Sequence, residues 1–526
     1  MRNVVLIGFM GTGKSAIGER LAKHLGWAFV DTDALVEARE GRTIPEIFQK
    51  DGEDYFRDLE SRVIADVCRG EGQVIATGGG AVLRQENRKL LREAGVVISL
   101  VADPEALLVR LGSGEGRPLL AGDVRGNLQR LLKEREPFYQ EADVVVDVTG
   151  KDPEEVVEEC LNRLCGRVCE TIPVHTRERT YPVYVGEGAV SLLGWELAKI
   201  SSGRRVALLT HRDLYSRYGE SVVNSLEASG FDVAVITIPA GERAKSLRTV
   251  WGLYDSLTSA RMDRTSILVA MGGGVIGDVG GFVASTYMRG IPLVHLPTTL
   301  LAQVDSSIGG KTAVNHPRAK NLIGTFYQPH MVVVDTTFLR SLPKREVRAG
   351  LAEVVKAGVV GDPDLFLHLE RSHTQILSLE AAPLVEAIKR AVAVKVRVVE
   401  EDERDQSRRM VLNYGHTIGH ALEIAAGFRY RHGEAIAIGM VLEAEVATRM
   451  GLFPEGEARR QEELLRRMGL PTRARAVDPG KVLEAMAFDK KARGGKLRFA
   501  LPTAIGRVEV VEDVPPALLE EVLRGG

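Results

Sequence analysis

Val4-Val5-Leu6-Ile7-Gly8-Phe9-Met10-Gly11-Thr12-Gly13-Lys14-Ser15-Ala16 opens the chain with a β-branched apolar run that meets a glycine loop and then passes into helical periodicity. The loop reads G-x-x-x-x-G-K-[ST] and stands between a strand and a helix, the setting that motif needs. Glycines let backbone N–H groups approach nucleotide phosphates. Gly11, Thr12, Gly13 and Ala16 are therefore read as contacts to ATP, Lys14 as the charge that neutralises the outer phosphates, and Ser15 as a Mg²⁺ ligand. A glycine turn without nucleotide is the competing reading, and the full motif in its setting disfavours it.

Outward from the loop, the runs Val74 to Ala76, Val96 to Leu100 and Val144 to Val148 alternate with helical patterns, which predicts an α/β domain with a parallel sheet. Asp152-Pro153 supplies an N-cap and a first-turn proline for a closing helix, and Gly166 then breaks its pattern. The domains are placed at 1–165, 172–335 and 336–526, with the major boundary at 166–171 and no long linker. The 172–335 segment again alternates strands with helices and predicts a second, Rossmann-like α/β unit. Long amphipathic segments dominate 336–526, which predicts a mainly helical unit.

Composition narrows the function. A chain of 526 residues holds three or four domains at about 150 residues each. Lys+Arg 69 against Asp+Glu 71 leaves a net charge of −2, so there is no cationic excess to track nucleic acid. The 55 glycines exceed the usual ~7% and suggest many ligand loops. No apolar run approaches the roughly 18 residues of a membrane span, and the first strand leaves no room for a signal peptide, so a cytoplasmic enzyme acting on small molecules is expected. Cys160, Cys165 and Cys169 are read as free thiols.

The acceptor of the phosphate is read from the rest of the first domain. Phe29-Val30-Asp31-Thr32-Asp33 carries one carboxylate suited to Mg²⁺, Asp31, and one suited to a substrate hydroxyl, Asp33. Phe56-Arg57-Asp58-Leu59-Glu60, Ala76-Thr77-Gly78-Gly79-Gly80, Gly116-Arg117-Pro118-Leu119-Leu120 and Arg135-Glu136-Pro137-Phe138-Tyr139 follow in order. Together they resemble the shikimate kinase family over the whole first domain. The resemblance implies that Asp33, Arg57, Gly79 and Arg135 bind shikimate, with the arginines gripping its carboxylate. It further implies that Arg117 belongs to a lid over the ATP phosphates, and that Arg110 lies against adenine. A different small-metabolite kinase, or an ATP-sensing regulatory module, is the rival; a sensor would have no need of the carboxylate-binding arginines.

In the second half, Met271-Gly272-Gly273-Gly274-Val275-Ile276-Gly277-Asp278 contains G-x-G-x-x-G with its acid directly after it, so an ordinary ribose contact about 20 residues on is not indicated. His416 and His420 stand at i, i+4, His432 opens the next helix, and Glu353 could complete a His₂Glu metal site. Spacing alone leaves the alternative of two hydrogen-bonded histidines open. These motifs, with Tyr287-Met288-Arg289-Gly290, Gly309-Gly310-Lys311-Thr312 and Lys320-Asn321, resemble the 3-dehydroquinate synthase family from about Thr171 onward.

That resemblance implies NAD⁺ held by Gly241, Glu242, Lys245, Gly273, Gly274, Val275, Asp278, Thr298, Thr299 and Lys320, and Zn²⁺ (or Co²⁺) held by Glu353, His416 and His432. It implies substrate contacts from Arg289, Asp305, Lys311, Asn321, Lys356, Lys395, Arg409, Asn413 and His420, with Lys311, Lys356, Arg409 and His420 also catalytic. Lys490 or Lys491 would reach the phosphate. Asp405 and Ser407 stand where the family usually has Glu and Gly, so Asp405 is left outside the site. The implied reaction converts 3-deoxy-D-arabino-heptulosonate 7-phosphate to 3-dehydroquinate and phosphate, with NAD⁺ regenerated; a related sugar-phosphate cyclase is the rival. A homodimer through the synthase half is implied, with Arg289 reaching the neighbouring site.

Overall fold

The computed structural model describes residues 3–112, 116–406, 408–474, 477–492, 497–512 and 514–525, apart from the side chains of 167, 168 and 488–492. The expectations for Ser407, Lys490 and Lys491 lie outside the described residues and side chains. The chain divides into two compact units, one reaching to Cys169 and including the segments Gly188–Lys199 and Gly219–Phe231, the other formed by the remainder.

In the first unit, β1 (Asn3–Gly8), β2 (Ala28–Asp31), β3 (Gln73–Ala76), β4 (Val96–Val101) and β5 (Val144–Asp147) form one sheet in the order β2-β3-β1-β4-β5. Every pairing is parallel, with Val5 opposite both Ile75 and Val97. The central β1 is buried throughout, which is why its sequence is an unbroken apolar run and not an alternating one. Gly8 ends β1 at φ 143, and a Cβ there would lie 2.3 Å from the Leu100 carbonyl oxygen, so only glycine lets the loop leave the sheet at this point. The helix Lys14–Leu25 starts at Gly13, which offers no side-chain cap and leaves the first-turn N–H groups facing the loop. The far end of this helix meets the added segments: the His24 ring stands edge-on to Trp195 at 5.9 Å.

The closing helix runs Pro153–Val168, straight through Gly166, and hands over directly to a strand at Cys169. Gly166 does not break it, because one glycine costs a helix only about 1 kcal/mol against the burial of Val156, Val157, Leu161 and Leu164.

The second unit has a seven-stranded sheet in the order β6-β7-β14-β11-β10-β8-β9, from β6 (Cys169–His175), β7 (Thr180–Gly186), β8 (Arg205–Thr210), β9 (Asp232–Thr237), β10 (Ile267–Gly272), β11 (Leu293–Pro297) and β14 (Met331–Asp335). The pairings from β7 to β9 are parallel. Strand order reverses between β8 and β10, which puts the glycine turn after β10 at the switch point where open α/β sheets bind ligands. A hairpin of β12 (Lys311–His316) and β13 (Ala319–Phe326) departs from simple alternation. Helices then dominate as expected, although a second hairpin, β15 (Phe499–Ala504) with β16 (Arg507–Val511), lies among them. The helix Lys344–Gly361 is not amphipathic: every residue from Ala349 to Val360 is buried, so it forms the axis of the helical part. No helix among the described residues is long and apolar enough to cross a membrane.

Candidate active sites

Around the phosphate loop, Lys14 Nζ donates to the carbonyls of Gly8 (2.8 Å) and Phe9 (3.0 Å). Burial lowers its pKa to about 8 against the pull of Asp33 and Asp31. Ser15 Oγ donates to Asp31 Oδ2 at 2.6 Å, and Asp31 Oδ1 accepts from the backbone N–H of Asp33 (3.0 Å). The two groups expected at Mg²⁺ are therefore neighbours at the end of β2. Arg110 donates to the carbonyls of Gly11 (3.4 Å) and Val148 (3.0 Å), on the rim of the loop.

A cavity of about 250 Å³ is lined by Asp33, Arg57, Glu60, Gly79, Arg117 and Arg135, among others. Arg57 Nη1 donates to Glu60 at 2.7 Å, and its other nitrogens reach Glu53. Tyr139 donates to the Gly79 carbonyl at 2.6 Å. Asp33 Oδ1, Glu60 Oε1 and Arg135 Nε are buried with no hydrogen-bond partner. Burial, then Glu60, lifts the Asp33 carboxyl to about 7. This cavity offers what a polyhydroxylated carboxylate needs: cationic forks for its charge and a basic carboxylate for a hydroxyl proton. Glu60 is the member that sequence reasoning left out, although its place three residues after Arg57 on one helix face could have signalled the pair.

In the second unit, Gly273 follows β10 and approaches the Thr299 side chain, and the Thr298 N–H donates to the Gly272 carbonyl at 3.0 Å. Lys245 is buried and pairs with both Asp278 and Asn321, and Asn315 donates to Glu242 at 2.7 Å. Lys320 Nζ lies 4.4 Å from the centre of the Phe428 ring. The residues expected at NAD⁺ thus gather at the glycine turn and on the β12–β13 hairpin.

Beyond them lies a chain of opposite charges. Lys395 Nζ donates to Asp305 Oδ1 at 2.5 Å, and Lys356 pairs with Glu353. Burial would raise Asp305, but Lys395 and Lys356 outweigh it and hold the carboxyl at about 2. Glu353 is 3% exposed, and its Oε1 stands 3.6 Å from Nε2 of both His416 and His432 with no hydrogen-bond partner of its own. His416, His420 and His432 each present a ring nitrogen within 4.8 Å of the others. Second contacts orient the rings: His416 Nδ1 lies 3.1 Å from the Tyr414 carbonyl, and His432 Nδ1 lies 3.5 Å from Glu423 Oε2. Burial and Lys356 keep His416 well below the ordinary range, whereas Glu353 and Glu423 outweigh burial and lift His432 to about 9. Two imidazoles and a carboxylate whose buried oxygen lacks a partner are a donor set that suits zinc, with a position left open. Glu423 went unnoticed in the sequence; it falls three residues after His420, on the same helical face.

Arg409 is buried and donates to the carbonyls of Gly309 (3.2 Å) and Glu403 (3.0 Å). Asn413 ends the same short turn, Arg408–Asn413. Lys311 pairs with Asp405, so the residue left outside the site neutralises one placed within it. Arg289 stands exposed on the turn Tyr287–Arg289, at φ 70.

Family models match this chain in three stretches: shikimate kinase over residues 10–165, the 3-dehydroquinate synthase N-terminal part over 235–349 and its C-terminal part over 350–492. The 3-dehydroquinate synthase of Desulforamulus reducens is 45% identical over 355 residues, which cover 67% of this chain and 99% of that protein. Among solved structures, 2-epi-5-epi-valiolone synthase from Streptomyces hygroscopicus subsp. jinggangensis, with NAD⁺ and Zn²⁺ bound, matches at 31% identity and a TM-score of 0.61, over 67% of this chain and 98% of that one. A 2-deoxy-scyllo-inosose synthase complexed with carbaglucose-6-phosphate, NAD⁺ and Co²⁺ matches at 28% identity and a TM-score of 0.61, over 68% of this chain and all of that one. Both matched families are enzymes, a kinase and a cyclising lyase, and the chain belongs to the 3-dehydroquinate synthase family with a shikimate kinase domain fused ahead of it.

Proposed function

We propose that the first unit transfers the terminal phosphoryl group of MgATP to shikimate, giving shikimate 3-phosphate, and that the second converts 3-deoxy-D-arabino-heptulosonate 7-phosphate to 3-dehydroquinate and phosphate. One observation carries the reading: each unit gathers a donor set matched to one of the two reactions, a cavity of arginines and carboxylates beside the phosphate loop and a Glu-His-His-Lys cluster beyond the dinucleotide turn.

In the kinase, Arg57 and Arg135 hold the shikimate carboxylate, Asp33 takes the hydroxyl proton, Lys14 and Arg117 face the phosphates, and Ser15 with Asp31 holds Mg²⁺. In the synthase, Lys245, Asp278 and Thr299 hold NAD⁺, and Glu353, His416 and His432 hold Zn²⁺ or Co²⁺. When bound, the two supply a hydride acceptor and a Lewis acid for one secondary alcohol of the substrate. Lys311, Lys356 and Arg409 bind its anionic groups, Asp305 fixes Lys395, and His420, beside the other imidazoles, carries a proton. The functional synthase is proposed to be a homodimer.

The test is purified chain in two mixtures, shikimate with MgATP and the heptulosonate phosphate with NAD⁺ and Zn²⁺. Shikimate 3-phosphate in the first and 3-dehydroquinate in the second are expected. A different carbocycle in the second would assign the synthase half to another sugar-phosphate cyclisation, and no phosphoryl transfer to shikimate in the first would leave that unit a kinase of another small metabolite or a nucleotide sensor.

A further inference from the structure

We infer that Glu443 is a positioning residue for the metal-binding imidazoles, an inference that rests on the metal reading above. Glu443 lies on the helix His432–Arg449, eleven residues after His432, and is fully buried. Its carboxylate serves the neighbouring helix, His416–Ala425: Oε2 accepts from the Gly415 N–H at 2.7 Å and Oε1 from the Ile418 N–H at 3.0 Å. Those two bonds bracket His416.

The need for an outside cap follows from the sequence. The N-terminus of a helix leaves N–H groups without partners, and a Ser, Thr, Asp or Asn before the first turn usually takes one of them. Here that position is Gly415, at φ 78, where a Cβ would lie 2.6 Å from Met440 Cγ and 2.9 Å from the Ile436 carbonyl oxygen. No side chain fits, so the cap comes from the facing helix. An apolar side chain could fill the same volume without the desolvation cost of a carboxylate, so packing alone gives no reason for an acid there. The helix that begins with one proposed ligand, His432, thereby fixes the first turn of the helix that begins with the other, His416. Glu443 holds no metal itself; it sets where His416 points.

Glu443→Gln keeps the volume but replaces one acceptor with an NH₂ group that faces a backbone N–H. Full-length apo-protein, wild type and variant, is titrated with Co²⁺ while its visible absorption is recorded, and NAD⁺ binding and the thermal melt are measured on the same samples. The expected result is a loss of about 10- to 100-fold in Co²⁺ affinity with an altered visible band, while NAD⁺ affinity and a cooperative melt are retained. An unchanged Co²⁺ affinity and spectrum in the folded variant overturns the inference. Loss of NAD⁺ binding together with the melt also overturns it, since Glu443 would then be structural only. Failure of the wild type itself to bind Co²⁺ would overturn the metal reading and this inference with it, an outcome distinct from both.

Discussion

Asp33 and Glu60 set two buried carboxylates against Gly78, where a Cβ would lie 2.5 Å from an oxygen of each. The arrangement tunes a base: burial and the Glu60 charge hold the Asp33 proton until about pH 7, so Asp33 becomes a proton acceptor only above that point. Kinase kcat/KM should therefore rise with pH through an acid limb near 7. In Glu60→Gln the neighbouring charge is gone, the ionised form of Asp33 costs less, and the limb should move to lower pH while the shikimate KM rises through loss of the Arg57 partner. A pH–rate profile of the two proteins checks this, and a limb that stays in place would remove Asp33 from the role of base. Lys14 permits a sharper separation. Lys14→Ala removes the buried cation facing the transferring phosphoryl group, so kinase kcat should fall by about 10²- to 10³-fold. Synthase turnover assayed on the same sample should be unchanged, because the hydrogen bonds of Lys14 go to the carbonyls of its own loop, Gly8 and Phe9.

Elements carry a different kind of information. The helices His416–Ala425 and His432–Arg449 approach backbone to backbone, and a Cβ on Gly439 would lie 2.0 Å from the Gly415 carbonyl oxygen. Neither backbone can yield cheaply, so Gly439→Ala should destabilise the synthase unfolding transition by about 1–3 kcal/mol. Gly456→Ala, on the helix Glu455–Arg467 with nothing within 4 Å of its Cβ, should be neutral or stabilising by up to about 1 kcal/mol. Denaturant melts of both variants decide it. This pair of helices also shows how far the sequence was legible. His416, His420 and His432 stood out through the run of family motifs around them, since their spacing alone left open a pair of hydrogen-bonded histidines. Glu443 did not, because a buried acid that caps a neighbouring helix has no local pattern. It reads as one more residue on a helix, and only the close approach of Gly415 to Gly439 explains it. The β12–β13 hairpin escaped for a related reason: β13 is mostly exposed and carries the polar Lys320 and Asn321, so the apolar signal that marks a strand is weak there. Strands buried on both faces, such as β1, β10 and β14, were plain from their unbroken apolar runs.

At the scale of the whole molecule, the two proposed reactions are not consecutive by their chemistry. On the proposed reactions, the keto-acid product of the synthase would have to lose water and be reduced before it became the hydroxylated acceptor of the kinase, so the fusion would pass no intermediate directly between the sites. The proposed homodimer of the synthase half is testable at this scale. Arg289 stands exposed at φ 70 beside Met288, which is 43% exposed, and the nearby β13 presents Leu322 and Phe326 outward at 64% and 43%. Thr325 on that strand donates to Ser285, four residues before Arg289, at 3.0 Å. In the proposed homodimer, these exposed apolar side chains would face a second copy of this chain across a twofold axis, and Arg289 would reach into that copy's site. Two disabled chains test this. In a heterodimer of Arg289→Ala with Glu353→Ala, a crossing arginine leaves one site with both its own Glu353 and its partner's Arg289, and the other site with neither. Random pairing of equal amounts makes half of the dimers mixed, so synthase activity should return to about a quarter of the wild-type level, from nearly none in either variant alone. If Arg289 serves the site of its own chain, every site in the mixture lacks one residue and no activity returns once mixed dimers have been shown to form.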